Sequence, residues 1–180
     1  MKFQSIILSI FILLTANVCY SQSQAIHNIY FTLPEIALLD IEPNTRNIIF
    51  EFKSPDEPGD KLTRVKGETK WLNYTSALSL GGSPKVITAH LENSKGIPGL
   101  TIELTVSKYS GNGRGVLGTP AGTIKLSSAA QKIIYGIGGC FTGDGTNRGH
   151  EIEYNAYIHD YSIFEIPTTT TMEVVFTITN

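Results

Sequence analysis

Charge is scarce in this chain. Of its 180 residues only 17% are Asp, Glu, Lys or Arg, against about 25% in ordinary soluble domains. The 14 basic and 16 acidic residues leave a formal net charge of −2, which provides no electrostatic footprint for nucleic acid. Cysteine is scarcer still, and two residues of it cannot build a disulfide scaffold or a cysteine-rich zinc site. No apolar run reaches the roughly 20 residues that a membrane-spanning helix needs. After the first 21 residues no amphipathic helical period appears either, so the crossover helices of a parallel βαβ fold are missing. An aromatic content of 9%, with many Val, Ile and Thr, argues against wholesale disorder.

The first 21 residues read as a secretory signal. Lys2 provides the positive start and residues 6–14 (IILSIFILL) an apolar stretch of the expected length. Cleavage after Ser21 places small residues, Ser21 and Cys19, at the cut and three residues before it, and starts the mature chain at Gln22. A lipidated Cys19 is the alternative, but Val18 fits the position before a lipidated cysteine poorly. The expected product is one domain over 22–180, secreted or held at the cell surface, with Cys140 as its only thiol.

Beyond the signal, what recurs is the short β-branched or aromatic run bounded by Gly, Pro, Asn, Asp or Ser. About nine strands are predicted: 28–33, 36–42, 47–53, 70–77, 85–91, 99–109, 131–137, 150–158 and 172–179. Several alternate cleanly. Leu100, Ile102, Leu104 and Val106 share one face; so do Ile152, Tyr154, Ala156 and Ile158, and so do Val174, Phe176 and Ile178. Such alternation belongs to antiparallel strands with one buried and one wet face. The expectation is an all-β antiparallel β-sandwich, Ig-like or pilin-like, with the single Trp71 as a core anchor. Residues 54–69 read as a long loop, with a short strand near 62–65, and 111–115 as a hairpin tip.

Chemistry concentrates between Cys140 and His150. A Cys/His nucleophile pair is conceivable there, but no family-specific signature supports it, and polar residues satisfying a Gly-rich connection explain the composition equally well. Asp144 opens a stretch resembling an Asp-rich cation loop. Arg148 stands where an oxygen ligand is wanted, and Asn155 occupies the twelfth position, so an EF-hand is excluded and only a loosely bound Ca²⁺ is left open. The four histidines show no zinc-ligand spacing. Asn73-Tyr74-Thr75 matches the glycosylation acceptor pattern. The candidate ligand or partner surface comprises Tyr154, Tyr157 and Tyr161, whose rings suit stacking on sugars, with Asp144 and Asn147 beside them. No catalytic, cofactor or metal residue is otherwise assigned.

The Gly-rich connection at 136–149, the alternating strand at 150–158 and the closing strand at 172–179 carry a resemblance. The chain is similar to secreted bacterial pilin-type or coat-type β-sandwich subunits over most of its mature length. That resemblance implies a non-enzymatic structural subunit or adhesin of an envelope appendage, a fimbrial component associating with itself or with other envelope subunits. Many such subunits carry an intradomain disulfide, which this chain cannot form once Cys19 is removed. Strand donation is the implied mode of assembly, from an extended N-terminal segment onto an exposed sheet edge. The alternative is a monomeric secreted module that recognises a glycan or a protein.

Overall fold

In the computed structural model, residues 24–44, 47–92, 96–165 and 170–180 are described. The signal expected at 1–21, with Cys19, lies outside them. The chain divides into two units, Met1–Leu33 and Pro34–Asn180. In the first, residues 24–33 carry no secondary structure and are exposed; the strand predicted at 28–33 does not form, because among the described residues no strand pairs with it.

The second unit is all-β and antiparallel throughout. Its strands are β1 (Ile36–Glu42), β2 (Val65–Lys66), β3 (Lys70–Ala77), β4 (Lys85–Glu92), β5 (Leu100–Val106), β6 (Arg114–Pro120), β7 (Thr123–Lys125), β8 (Gln131–Phe141), β9 (His150–Ile158) and β10 (Glu173–Thr179). They form one hydrogen-bonded sheet in the order β10-β4-β8-β3-β9-β5-β7, with β1 on β3, β2 on β9 and β6 on β8. No helix of the described residues is long and apolar enough to cross a membrane.

Strand β3 organises this sheet. One edge pairs with β1 along its length, from Ile36↔Ala77 to Glu42↔Trp71. The other edge is shared: β9 takes residues 70–72 and β8 takes Thr75 and Ser76. Strand β4 continues along the same edge of β8, and β10 lies outside β4. The end of β10 therefore meets the start of β1, where the buried ammonium of Lys85 contacts both the Glu35 carboxylate and the Asn180 side chain.

Alternation delivers the core. Leu72 and Tyr74 of β3, Ile87 and Ala89 of β4, Ile102, Leu104 and Val106 of β5, and Ile152, Tyr154 and Ala156 of β9 join Ile133, Ile134, Ile137 and Cys140 of β8 in one buried cluster. The all-β antiparallel class that the sequence pattern predicts is thus realised in one continuous sheet around this cluster, consistent with a sandwich-like fold. Each large aliphatic side chain buried there contributes roughly 1.5–3 kcal/mol by leaving water.

Several local expectations change. Residues 47–53 form no strand, although Ile48, Phe50 and Phe52 still pack on the core; their alternation records burial and not pairing. Gly67 permits this close packing, since a Cβ there would fall 2.6 Å from Ile48 Cγ2. Trp71 is half-buried on the face opposite Leu72 and stands outside the core cluster. The tip expected at 111–115 runs into β6, which pairs with β8 from Arg114↔Phe141 to Pro120↔Ile134. The long loop at 54–69 does contain a short strand, β2.

Candidate functional site

The 142–149 connection bridges a gap on the edge of β3, between the residues paired to β8 and those paired to β9. Thr142 closes it like a ladder rung: its amide donates to the Tyr74 carbonyl at 3.0 Å and its Oγ1 accepts from the Tyr74 amide at 2.9 Å. The Asn73 Nδ2 donates to the Gly145 carbonyl at 2.9 Å and pins the crest of the loop. At the far end Gly149 passes so close to β3 that a Cβ would fall 2.1 Å from the Leu72 carbonyl oxygen. Asp144 and Asn147 are exposed on the crest, and Asn147 holds a left-handed φ of 61°.

The loop brings Asp144 to Asp40 and Glu42, and one carboxylate oxygen from each of the three lies within 4.8 Å of the others. Asp40 and Glu42 are two apart on β1 and so share a face; the pairing of Asp40 with Asn73 carries them beneath the loop. Carboxylates are hard ligands of the type Ca²⁺ takes, and this trio is where a loosely bound ion would find them. Convergence of acidic groups is not in itself a site, however. The unpartnered Asn73 Oδ1 is turned toward Gly149. The loop sequence identified Asp144, whereas Asp40 and Glu42 were missed because only the β1–β3 register joins them to it.

The tyrosine surface does not assemble. Tyr154 is 5% exposed and belongs to the core, so its place in the candidate surface is corrected. Its position on the buried face of β9 follows from the alternation itself. Tyr157 lies on the opposite face, where the Arg64 guanidinium sits 4.5 Å from its ring centroid and its hydroxyl donates to Glu103 at 3.0 Å. A sugar stacking on that face would have to displace Arg64. Tyr161 is 51% exposed, packs edge-on with Phe164 at 6.4 Å and accepts the Leu62 amide at 2.8 Å. Asp144 and Asn147 belong to the carboxylate loop.

Cys140 and His150 do not form a nucleophile pair. The imidazole Nδ1 is 2.8 Å from the Ser107 carbonyl oxygen, and the ring packs against Tyr74 and Tyr109. Burial pushes the Cys140 thiol up from its usual range, opposed by a backbone hydrogen bond from Ser76. An activated thiolate needs the reverse. His159 contacts Thr101 at 3.0 Å, while Asp160 bonds the Ser162 hydroxyl and amide, which hold its carboxyl below the usual carboxylate range. Asn73 of the glycosylation pattern is only 4% exposed, so a glycan cannot be carried there in this fold.

Two further apolar features stand out. Ile26, Ile29, Tyr30, Phe31 and Leu33, in the first unit, are 66–89% exposed, and residues 24–33 hold no Asp, Glu, Lys or Arg. In the second unit Val116 of β6 and Tyr135 and Phe141 of β8 are exposed. The fold and these surfaces define an antiparallel all-β protein with an uncharged N-terminal arm. No protein-family model matches the chain, and no curated protein or solved structure matches it significantly.

Proposed function

We propose that the chain is a non-enzymatic structural subunit of the cell surface or extracellular space, assembling through its N-terminal arm. The observation that carries this reading is the exposed arm. Five large apolar side chains, each worth roughly 1.5–3 kcal/mol on burial, stand in water on an uncharged segment without secondary structure of its own. Such a segment suits addition to a sheet edge, where main-chain hydrogen bonds supply affinity and alternate side chains fill a surface.

The acceptor is β10 of a second copy. Among the described residues β10 pairs only with β4, leaving its outer edge open. The other open edges are protected in the usual ways. Strand β1 carries Asp40 and Glu42, β6 is interrupted by Gly115, Gly118 and Pro120, and β7 has three residues ending in Lys125. Strand β10 has one charge, at its first residue.

Deletion of residues 22–33 tests the reading. The expected result is a folded domain that no longer assembles, judged by light scattering and by loss of a heat-sensitive ladder on a denaturing gel. Thr177→Lys on the exposed side of β10 is expected to impair assembly with the arm intact. Normal assembly of the truncated chain would overturn arm donation; failure to fold would assign the arm to its own domain.

A second reading, a secreted module recognising a glycan or a protein, rests on the exposed apolar side chains of Val116, Tyr135 and Phe141. It predicts a monomer whose glycan or protein binding is lost in Tyr135→Ala.

A further inference from the structure

His150 is the first residue of β9 and is fully buried. A carbonyl oxygen can only accept, so the 2.8 Å contact with Ser107 places the ring hydrogen on Nδ1 and leaves Nε2 bare. Nε2 makes no hydrogen bond. The Leu117 carbonyl, which interacts with the imidazole, accepts the Tyr74 hydroxyl. The ring stacks on Tyr74 at 5.9 Å and 11° and meets Tyr109 at 5.5 Å and 54°. The Tyr109 hydroxyl donates to the Thr142 carbonyl at 2.7 Å and accepts from the Gly113 amide. One imidazole thus supports both the 107–113 segment and the 142–149 loop.

We propose that His150 is an acid-operated latch: a proton on Nε2 releases the 107–113 segment and the 142–149 loop together, while the rest of the sheet stays folded. The surroundings offer the added charge no counter-ion. From β3 the imidazole faces the Tyr74 phenol, from the 107–113 segment the Tyr109 phenol and the Ser107 carbonyl, and from β6 the Leu117 carbonyl. The Cys140 thiol of β8 influences Tyr74. Glu151 is next in sequence, but alternation along β9 puts it on the opposite face, across from Trp71. Arg148 is exposed on the loop and of the same sign as the added proton.

Release is local because the two segments are held more weakly than the core. Neither is a strand, and seven of their fifteen residues are exposed, with only Thr142 and Gly149 buried, whereas Leu104 and Ile134 are fully buried in the core. Segments of this kind open at lower free energy than the whole fold.

Burial holds the His150 imidazole below its ordinary range, with the Ser107 and Leu117 carbonyls opposing. The folded state therefore prefers the neutral ring. Its contribution is complete above the unfolded value near 6.5 and is lost as pH falls through the lower folded value.

Hydrogen exchange on the mature chain at pH 7 and pH 5, expressed as protection factors, tests the latch. Protection of the Gly113 and Thr142 amides should fall on acidification, by up to about tenfold for each pH unit between the unfolded and folded values. Protection of Leu104 and Ile134 should hold. In His150→Gln the side-chain amide can still donate to Ser107 but takes no proton, and the acid response should vanish. A response that persists in His150→Gln, or one that spreads equally over core and loops, would overturn the proposal. Should His150→Gln fail to fold, Tyr109→Phe keeps the imidazole and cuts the link between Gly113 and Thr142. It should expose Gly113 already at pH 7 and leave Thr142 responsive to acid; unchanged protection at Gly113 would count against the latch.

Discussion

Glu35 and Asn180 meet on one ammonium, the buried Nζ of Lys85. Lys85 opens β4, Glu35 precedes β1 and Asn180 follows β10, so this contact ties three strand ends together where the outer edge of the sheet passes from β10 to β1. Hydrogen bonding from Lys85, then from Asn180, holds the Glu35 carboxyl below its usual range.

Lys85→Met keeps the aliphatic stem and removes the shared charge. The melting temperature is expected to drop by several degrees, since a change of about 1 kcal/mol moves a domain of this size by roughly 2–4 °C. Exchange should quicken first at the end of β10. An unaltered melting curve would mean that the clasp contributes no net stability.

The same clasp has a pH signature of its own. A carboxyl with a depressed folded value stabilises above its unfolded value and ceases to do so as pH falls through the folded one. Glu35→Gln should flatten the acid limb of the stability curve below about pH 4.5. Stability curves for the two proteins at matched ionic strength decide this.

Tyr74→Phe removes the hydroxyl that donates to the Leu117 carbonyl. Losing this bond to a half-buried carbonyl costs about 0.5–1.5 kcal/mol, and denaturant titration should find that loss with little change in m-value.

Asp144→Asn relieves repulsion among three carboxylates held within 4.8 Å. The variant should melt higher than the parent at low ionic strength, and the difference should shrink toward zero near 1 M salt, where the Debye length is about 3 Å. Calcium titrated into the parent, followed by melting temperature, separates simple repulsion from ion binding: only a saturable rise lost in Asp144→Asn indicates the latter.

Much of the sheet was legible in the chain because period-two alternation encodes burial directly. Strands 36–42, 70–77 and 150–158 coincide with β1, β3 and β9. The same signal failed where burial and pairing part company. Residues 47–53 alternate and pack but form no ladder, while β6 pairs with β8 from Arg114 to Pro120, with one irregularity between Gly115 and Leu117, although Gly115, Gly118 and Pro120 leave it no strand-like composition. The alternation that placed Tyr154 inward outweighed its aromatic character as a surface residue. Asp40 and Glu42 were invisible as partners of Asp144 because about a hundred residues separate them, and only the pairing of β1 with β3 closes that distance.

The sheet order also governs when the fold can exist. Leu72 pairs with His150, and Leu91 with Val174, so β3 and β4 each wait for a partner roughly 80 residues later in the chain. A partly synthesised chain lacks β9 and β10 and cannot complete either ladder. The topology thus places closure of the sheet late in synthesis, after both ends of the chain order have been made.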